Sequence, residues 1–256
     1  MISDLVTPLK RQTLSANVYE QLKELVMSGQ MMPGEQFSLR STALALGVSV
    51  MPVREAMQRL VAEQALEVTP NRAMRVPTMT ASQFREITRI RVNLEGLATD
   101  QAASSWTDAD FRRIIQWDER FSSEMATGKP NGTRLITFNK ELHFAIYSAA
   151  KMPLLLQMIE ALWLRIGPIL NYDLRSGSRR IEERVAVSHH AALVKALRQR
   201  DGAAARIALQ GDIESAADFI LSAGGLVSAD APEQPEPPEP LASRKATKRP
   251  RSVLMG

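Results

Sequence analysis

Apolar residues near the N-terminus recur every three or four positions, which is the period of a helix with one buried face. Leu14, Val18 and Leu22 form the first such pattern. Gly29 ends it, and the Pro-Gly pair at 33–34 predicts a turn, because Pro presets φ and Gly tolerates the opposite sign. The chain therefore begins with a short amphipathic helix.

Two more short helices are predicted after this turn, and Gly47 separates them. Ser38 or Ser41 can cap the first of the two. Ser49 can cap the second, which has Pro52 in its first turn. Two helices joined in this way predict a helix-turn-helix, whose second helix can enter the DNA major groove. The second helix buries Val53, Met57, Leu60 and Val61 and leaves Arg54, Gln58 and Arg59 on its other face.

The next residues, LEVTPNRAMRVPT, predict two short strands around a turn at Pro70-Asn71, with Arg72 and Arg75 beside the turn. Such a hairpin is a wing that can lie along a groove or the phosphate backbone. From residue 80 to 224, long amphipathic patterns with brief breaks divide into about six helices and show no convincing strand.

The predicted fold is mainly α: a winged helix-turn-helix domain at 12–78 and an all-α bundle at 79–225, which we expect to bind an effector and to dimerise. Residues 1–11 form an N-terminal arm. Residues 226–256 are rich in Pro and Glu and then in Lys and Arg, and we predict that this tail is disordered. Its basic end is either solvated or in contact with DNA phosphates. The basic residues are Arg244, Lys245, Lys248, Arg249 and Arg251.

The composition, with 45% hydrophobic and 23% charged residues, allows a folded core, and the formal charge of +4 is a weak clue. The absence of cysteine excludes disulfides and thiolate metal sites. No stretch approaches the roughly 18 consecutive apolar residues of a membrane helix, and the N-terminus lacks the apolar core of a secretory signal. We therefore expect a soluble, cytoplasmic protein.

Residues 12–77 resemble the GntR family of DNA-binding transcriptional regulators, through MPGEQFSLRSTALALGVS, MPVREAMQRLVAEQALEV and NRAMRV. The resemblance implies operator contacts by Arg40 and Arg54, with Ser49 and Met51 nearby and Arg72 on the wing.

The chain departs from the family pattern at three positions. Val50 stands where the family usually has Arg, and it can touch a thymine methyl but cannot hydrogen-bond a guanine edge. Gln64 and Ala73 stand where the family usually has Gly. We expect DNA binding to persist and the operator sequence to differ from the commonest type.

All three histidines of the chain, His143, His189 and His190, fall in the helical region. Asn139 and His143 share one helical face, and Asp212 lies on the helix after that of His190. Two imidazoles, a carboxylate and an amide oxygen are a reasonable ligand set for Zn, Ni or Mn. Spacing alone equally allows hydrogen-bonded histidines of the core or surface.

Residues 80–222 resemble the FCD ligand-binding domain of the FadR subfamily, through RVNLEGLATDQAA, NKELHFAIY, HAALVKALRQRD and AAARIALQGDI. The resemblance implies a divalent metal at Asn139, His143, His190 and Asp212. Asn replaces the usual Asp at the first of these positions, and Asp replaces the usual His at the last.

The same resemblance implies a small organic acid as effector. Arg91 can pair with its carboxylate, or alternatively with an acid on its own helix. Arg165 is a second candidate, since it interrupts an otherwise apolar helix.

The sequence thus predicts a homodimeric repressor that binds a pseudo-palindromic operator under the control of this acid, and not an enzyme. Three alternatives stay open: a metal-free pocket for an acyl ligand, a ligand-blind regulator, and a metal-dependent hydrolase using His143, His190 and Asp212.

Overall fold

A computed structural model describes residues 14–71, 73–175, 183–223 and 226–227, with only the backbone described at 171–175. The predicted N-terminal arm and Arg72 lie outside the described residues. The elements in this part of the chain are α1 (Leu14–Met27), β1 (Gln36–Phe37), α2 (Leu39–Leu46), α3 (Val50–Ala62), β2 (Glu67–Val68), β3 (Met74–Arg75), α4 (Ala81–Ser105), α5 (Asp108–Met125), α6 (Gly132–Ala149), α7 (Pro153–Arg175), α8 (Val185–Arg198) and α9 (Gly202–Ala223).

The front domain has the predicted three helices, with α1 packed across α3. Ser38 caps α2 in a capping box with Ser41, so both serines that the sequence offers take part. Gly47 ends α2 at φ 65°, a left-handed conformation that favours glycine. These signals lie close together in the chain, which is why the sequence alone could predict them.

The wing is part of a three-stranded antiparallel sheet with strand order β1-β3-β2. The sequence predicts the β2–β3 hairpin but not β1, which pairs Gln36 with Arg75 and Phe37 with Met74. The sequence therefore predicts two strands where the sheet has three. A strand of two residues is too short to show a period of two, and its partner is almost forty positions away in the chain.

The second region has six helices among its described residues, as the sequence predicts. Thr80 and Thr107 begin α4 and α5 in capping boxes with Gln83 and Asp110. Helix α9 packs against α4 and α8, and α5 packs against α6. This packing places the inner faces of α4, α6, α8 and α9 around one interior.

The folded region continues beyond its predicted end at residue 225. The amide of Val227 donates to the carbonyl of Met79 at 3.1 Å, and Val227 forms a parallel bridge with Thr80. Leu226 packs against a cluster of buried apolar residues that includes Met79 and Phe84. The predicted boundary is therefore two residues too early, because partners on a distant segment order these residues. Residues 228–256 of the predicted tail lie outside the described residues.

Helix α7 has the length and hydropathy of a helix that could span a membrane. Its segment Pro153–Leu170 has a mean hydropathy of 1.3 over 18 residues, and no other helix in the described ranges meets the same length and hydropathy criteria. The helix contacts α1, α4 and α6, and Ile159, Trp163 and Leu164 are buried there. These contacts are typical of a core helix.

Helix α1 also joins the two domains. Lys23 pairs with Glu160 of α7 at 3.0 Å, and Lys140 of α6 donates to both carboxylate oxygens of Glu24 at 2.7 and 2.6 Å. Gly167 of α7 lies so close to α1 that a Cβ there would be 2.7 Å from the carbonyl oxygen of Met27. The front domain therefore rests directly on the two helices α6 and α7.

We expect Gly167→Ala to destabilise the protein by about 1–3 kcal/mol, because the added methyl group forces α1 away from α7. The change would otherwise favour a helix, so a loss of stability reports the clash. Urea unfolding measures the effect. Gly128→Ala is the control, since a Cβ at Gly128 meets no atom within 4 Å. Equal unfolding midpoints for the two variants would contradict this view of the junction.

Candidate functional site

The outer surface of α2 and α3 carries the residues predicted to contact DNA. Arg40, Ser49 and Arg54 are exposed, and Met51 is 59% exposed. Within the described residues, neither of these two arginines makes an ion pair or a hydrogen bond. Val50 is only half-buried, so it can still reach a neighbouring surface. This face leaves positive charge free for an outside partner.

Arg59 is also exposed on α3 but is held within the domain. Its guanidinium carbon lies 3.6 Å from the centre of the Tyr19 ring, and its Nε donates to Glu63 at 3.1 Å. Tyr19 donates its hydroxyl to the same carboxylate at 2.7 Å, and burial together with Glu63 raises the pKa of this phenol. Arg59 therefore fastens α3 to α1 rather than facing DNA.

A compact cluster forms in the bundle interior from His143 on α6, His190 on α8 and Asp212 on α9. One potential ligand atom from each lies within 4.8 Å of the others, and all three residues are buried. His143 Nε2 is 3.2 Å from Asp212 Oδ2, and His190 Nε2 is 3.7 Å from Asp212 Oδ1. The antiparallel course of α8 and α9, which the sequence predicts, brings the last two together.

The orientation of His143 is determined by a chain of hydrogen bonds behind it. Its Nδ1 lies 2.9 Å from the Tyr147 hydroxyl, which in turn donates to Glu95 at 2.5 Å. Since Tyr147 gives its proton to Glu95, Nδ1 of His143 is the atom that has to donate to Tyr147. The other ring nitrogen of His143, Nε2, faces Asp212, and an imidazole that is held in this way through its second nitrogen is typical of metal sites.

His190 is fully buried, and neither of its ring nitrogens has a hydrogen-bond partner among the described residues. Its ring packs 4.7 Å from that of Phe121 and 5.5 Å from that of His143. Buried imidazole nitrogens without partners are costly, so a group outside the chain is expected to satisfy them. A metal ion beside Nε2 would satisfy that nitrogen.

Asp212 remains a carboxylate in this interior. Burial alone raises the pKa of its carboxyl group, but the neighbouring His190 and His143 outweigh burial and hold the pKa well below the ordinary value. The cluster thus offers two imidazoles and one anionic oxygen, a donor set that fits borderline metals such as Zn, Ni or Mn.

Asn139 lies one turn before His143 on α6 and is half-buried. Its side chain makes no hydrogen bond within the described part of the chain, so its amide oxygen is unoccupied. Its role as a fourth ligand stays a prediction.

Arg91 is buried and paired with Glu95, through Nε at 2.6 Å and Nη2 at 3.2 Å. Burial lowers the pKa of this guanidinium, but the charge of Glu95 more than compensates and raises it overall. The structure therefore favours the alternative interpretation of Arg91, an internal salt bridge on its own helix. Glu95 takes two of the five guanidinium donors of Arg91, and pairing of the others with an effector carboxylate stays a prediction.

Arg165 does not join the cluster. Its side chain is exposed and lines a groove at the base of the wing together with Glu67, Gln83 and Met79. The sequence showed an arginine in an apolar helix but could not show which way it points. Arg165 therefore lies away from the three-residue cluster, and its role as an effector ligand stays a prediction.

Sequence reasoning missed three residues around the cluster. Tyr147 and Glu95 support His143, and the Trp163 ring lies 5.6 Å from the His143 ring with its Nε1 buried and unpartnered. Tyr147 follows His143 by four residues and Glu95 follows Arg91 by four, so helical spacing was an available signal. Trp163 comes from α7, and only the packing of the bundle brings it here.

Comparison with known proteins identifies the chain. A family model described as bacterial regulatory proteins of the gntR family matches residues 14–76, and the model of the FCD domain matches residues 86–215. The chain belongs to the GntR family. The predicted family, mainly α fold and class of function are thereby confirmed: this GntR-family protein is a DNA-binding transcriptional regulator with an FCD effector-binding domain.

Individual relatives support this assignment. The HTH-type transcriptional regulator McbR of Escherichia coli K12 is 35% identical over 193 residues, which cover 75% of this chain and 86% of that protein. The solved structure of E. coli McbR/YncC gives a TM-score of 0.77 at 31% identity, over 83% of this chain and 99% of that one. A transcriptional regulator GntR from Rhodococcus sp. RHA1 shares the fold, with a TM-score of 0.67 at 21% identity over 82% and 98% of the two chains.

We expect Arg91→Met to destabilise this regulator by about 3–5 kcal/mol, since it leaves the buried Glu95 carboxylate without its cation. The double change Arg91→Met with Glu95→Leu should lose much less, because both charges are removed together. Urea unfolding of the two variants and the unchanged protein measures the difference. An Arg91→Met variant as stable as the unchanged protein would show that the Arg91–Glu95 pair does not stabilise the fold.

Proposed function

We propose that this regulator binds a pseudo-palindromic operator and represses transcription until a small organic acid binds its FCD domain. The DNA half is supported by the free guanidinium groups of Arg40 and Arg54, which stand on one exposed surface with Ser49 and Met51. Arginine donors at the start of a recognition helix can bind guanine edges or phosphates. Arg72, which the sequence places on the wing, would add a contact beside them.

The proposed assembly is a homodimer, because two copies related by a two-fold axis place two recognition helices in successive major grooves. Helix α4 supports this arrangement, with Ile90 at 40% and Leu97 at 42% exposure. A second copy would cover this apolar surface.

The effector half of the proposal rests on the cluster of His143, His190 and Asp212, with Asn139 as a further ligand. We propose that it holds a divalent ion, Zn, Ni or Mn. The unpartnered nitrogens of His190 are the observation that carries this proposal. Three protein ligands leave a coordination position open on Zn, and a six-coordinate ion such as Ni or Mn keeps positions open beside four ligands. A carboxylate oxygen can fill such a position.

A polar group beside the cluster suits such a carboxylate. The indole Nε1 of Trp163 is buried, has no partner among the described residues, and belongs to a ring next to His143. An N–H in this state is costly, and a ligand oxygen would satisfy it. Trp163 is therefore proposed as a donor to the effector next to the cluster.

The same helices connect the cluster to the DNA-binding domain. Helix α6 carries His143, and three residues earlier Lys140 binds Glu24 of α1. Helix α7 carries Trp163, and one turn later Gly167 touches Met27 of α1. An effector that binds the two arrangements of this junction with different affinity would change operator affinity.

We further propose that the protein acts in the cytoplasm, where its operator is, and that the cluster has no catalytic role. The relatives support both points, because the compared proteins are named as transcriptional regulators.

Arg54→Ala should weaken operator binding by about 1–3 kcal/mol, since a recognition-helix guanidinium loses its partner on DNA. Fluorescence anisotropy with an operator duplex selected from a random library measures the affinity. Arg112→Ala is the control, because Arg112 is exposed on α5 in the other domain. If both variants bind the operator equally well, our assignment of α3 is wrong.

His190→Gln should lower the metal content of the purified protein from about one ion per chain to a small fraction, as a buried ligand is lost. His189→Gln is the matched control, because His189 packs against Gly211 and does not belong to the cluster. Elemental analysis of both proteins after exposure to Zn, Ni and Mn measures the change. Equal metal content would contradict the proposed site.

The same proteins can be screened for the effector by measuring their thermal shift with small carboxylic acids, before and after a chelator removes the metal. An acid at a hundred times its Kd should stabilise the loaded protein by about 2.7 kcal/mol. An acid that acts equally after chelation indicates a metal-free pocket, and no response to any acid indicates a ligand-blind regulator.

A further inference from the structure

A metal ion on Nε2 would satisfy only one of the two unpartnered nitrogens of His190. When Nε2 of a neutral imidazole binds a metal, the ring proton lies on Nδ1. That N–H is then a buried donor, since His190 is fully buried and its Nδ1 has no partner among the described residues. A buried donor without an acceptor is costly. The site therefore needs an acceptor behind His190 as well as an ion in front of it.

Helix α5 packs against α8 at the position of His190. The ring of Phe121 on α5 lies 4.7 Å from the imidazole ring. Asp118 precedes Phe121 by three residues, so the two side chains share one face of α5. Helical spacing thus directs a carboxylate toward the same neighbour.

Asp118 also lacks a partner. Its Oδ1 is buried and makes no hydrogen bond within the described ranges. Burial raises the pKa of this carboxyl group, and attraction to His190 opposes the rise without cancelling it. The two side chains are thus close enough to interact, and each has a buried polar atom that is not satisfied.

Asp118 is not one of the metal ligands. His143, His190 and Asp212 each offer an atom within 4.8 Å of the others, and among the described residues Asp118 does not belong to this group. Its position is comparable to that of Tyr147, which lies behind Nδ1 of His143 at 2.9 Å. His143 therefore has a partner for its second nitrogen, and Asp118 is placed to serve His190 in the same way.

We propose that Asp118 is a positioning residue of the metal site, whose carboxylate accepts a hydrogen bond from Nδ1 of His190 when Nε2 binds the ion. The bond keeps the proton on Nδ1, fixes the orientation of the ring and makes Nε2 a stronger ligand, as carboxylates behind metal-bound histidines do. The inference rests on the proposed metal site and adds α5 to the helices that support it.

The test compares the unchanged protein with two variants of Asp118. Asp118→Leu has a similar shape and no acceptor, and Asp118→Asn keeps an acceptor without the charge. Glu119→Leu is the matched control, because Glu119 is the adjacent acid and is exposed. The affinity for Zn is measured by competition with a chromophoric chelator.

Asp118→Leu should bind Zn about 10–100-fold more weakly than the unchanged protein, and Asp118→Asn should lie between the two. Glu119→Leu should bind as the unchanged protein does. An unchanged affinity in Asp118→Leu would overturn the inference.

Urea unfolding without metal separates positioning from a role in the fold. The midpoint of Asp118→Leu should not fall, because this change removes a buried oxygen that has no partner in the described chain. A lower midpoint would assign Asp118 to the fold and count against the inference.

Nuclear magnetic resonance of the Zn-loaded protein gives a direct signature. With isotope-labelled histidine only three imidazoles contribute, and the His190→Gln variant identifies the signals of His190. The Nδ1 proton of His190 should resonate far downfield in the unchanged protein and move upfield in Asp118→Leu. The same resonance position in both proteins would show that Asp118 accepts no hydrogen bond from His190.

These measurements separate the inference from the proposed metal site. If His190→Gln loses the metal while Asp118→Leu binds Zn as tightly as the unchanged protein, only the inference fails. If the unchanged protein binds no Zn, Ni or Mn, the proposed metal site fails and the inference with it.

Discussion

The arrangement of the helical domain depends on keeping charge inside an apolar bundle. Arg91, Glu95 and Asp212 are buried, and an unpaired charge in that position would cost several kcal/mol. Arg91 and Glu95 pair within α4, but Glu95 also accepts from Tyr147 of α6, and Asp212 of α9 faces His143 of α6 and His190 of α8. These contacts between helices require α4, α6, α8 and α9 to keep their relative positions. The hydrogen bonds of Tyr147 and His143 therefore restrict how the four helices can pack, and they also hold the side chains of the site in position.

This condition explains why the site lies where it can influence the front domain. The polar network requires α6 to face inward along the stretch that carries His143, and the following helix α7 closes the interior with Trp163. Lys140 and Gly167 lie one turn along these two helices from His143 and Trp163, and both contact α1. A shift of α6 or α7 on ligand binding cannot leave the junction unchanged, since close-packed interfaces do not deform continuously.

The front domain follows a different principle, in which local signals determine most of the structure. The capping box at Ser38, the left-handed Gly47 and the buried face of α3 are all fixed within a few residues of one another. Its outward face carries the exposed guanidinium groups of Arg40 and Arg54. The bridge of Val227 to Thr80 brings the two ends of the helical domain together at the same place.

The amino-acid sequence by itself determined the helices, the caps of α2, α4 and α5, the two-domain order and the family, whereas the predicted cap Ser49 makes no side-chain capping hydrogen bond. These features depend on periodicity and on residues close in the chain, and the family motifs lie in continuous stretches. It also brought His143, His190 and Asp212 into one candidate set, although only through helical spacing and resemblance.

Only the tertiary structure decided which polar groups meet across helices. It decided between the two partners that the sequence left open for Arg91, placed Arg165 away from the cluster, brought Trp163 beside it, and added β1 and Leu226–Val227 to the folded part. The physical reason is that direction on a helix and pairing between distant segments depend on how whole elements pack. Packing involves every face of every helix at once, so it cannot be inferred from a short stretch of sequence.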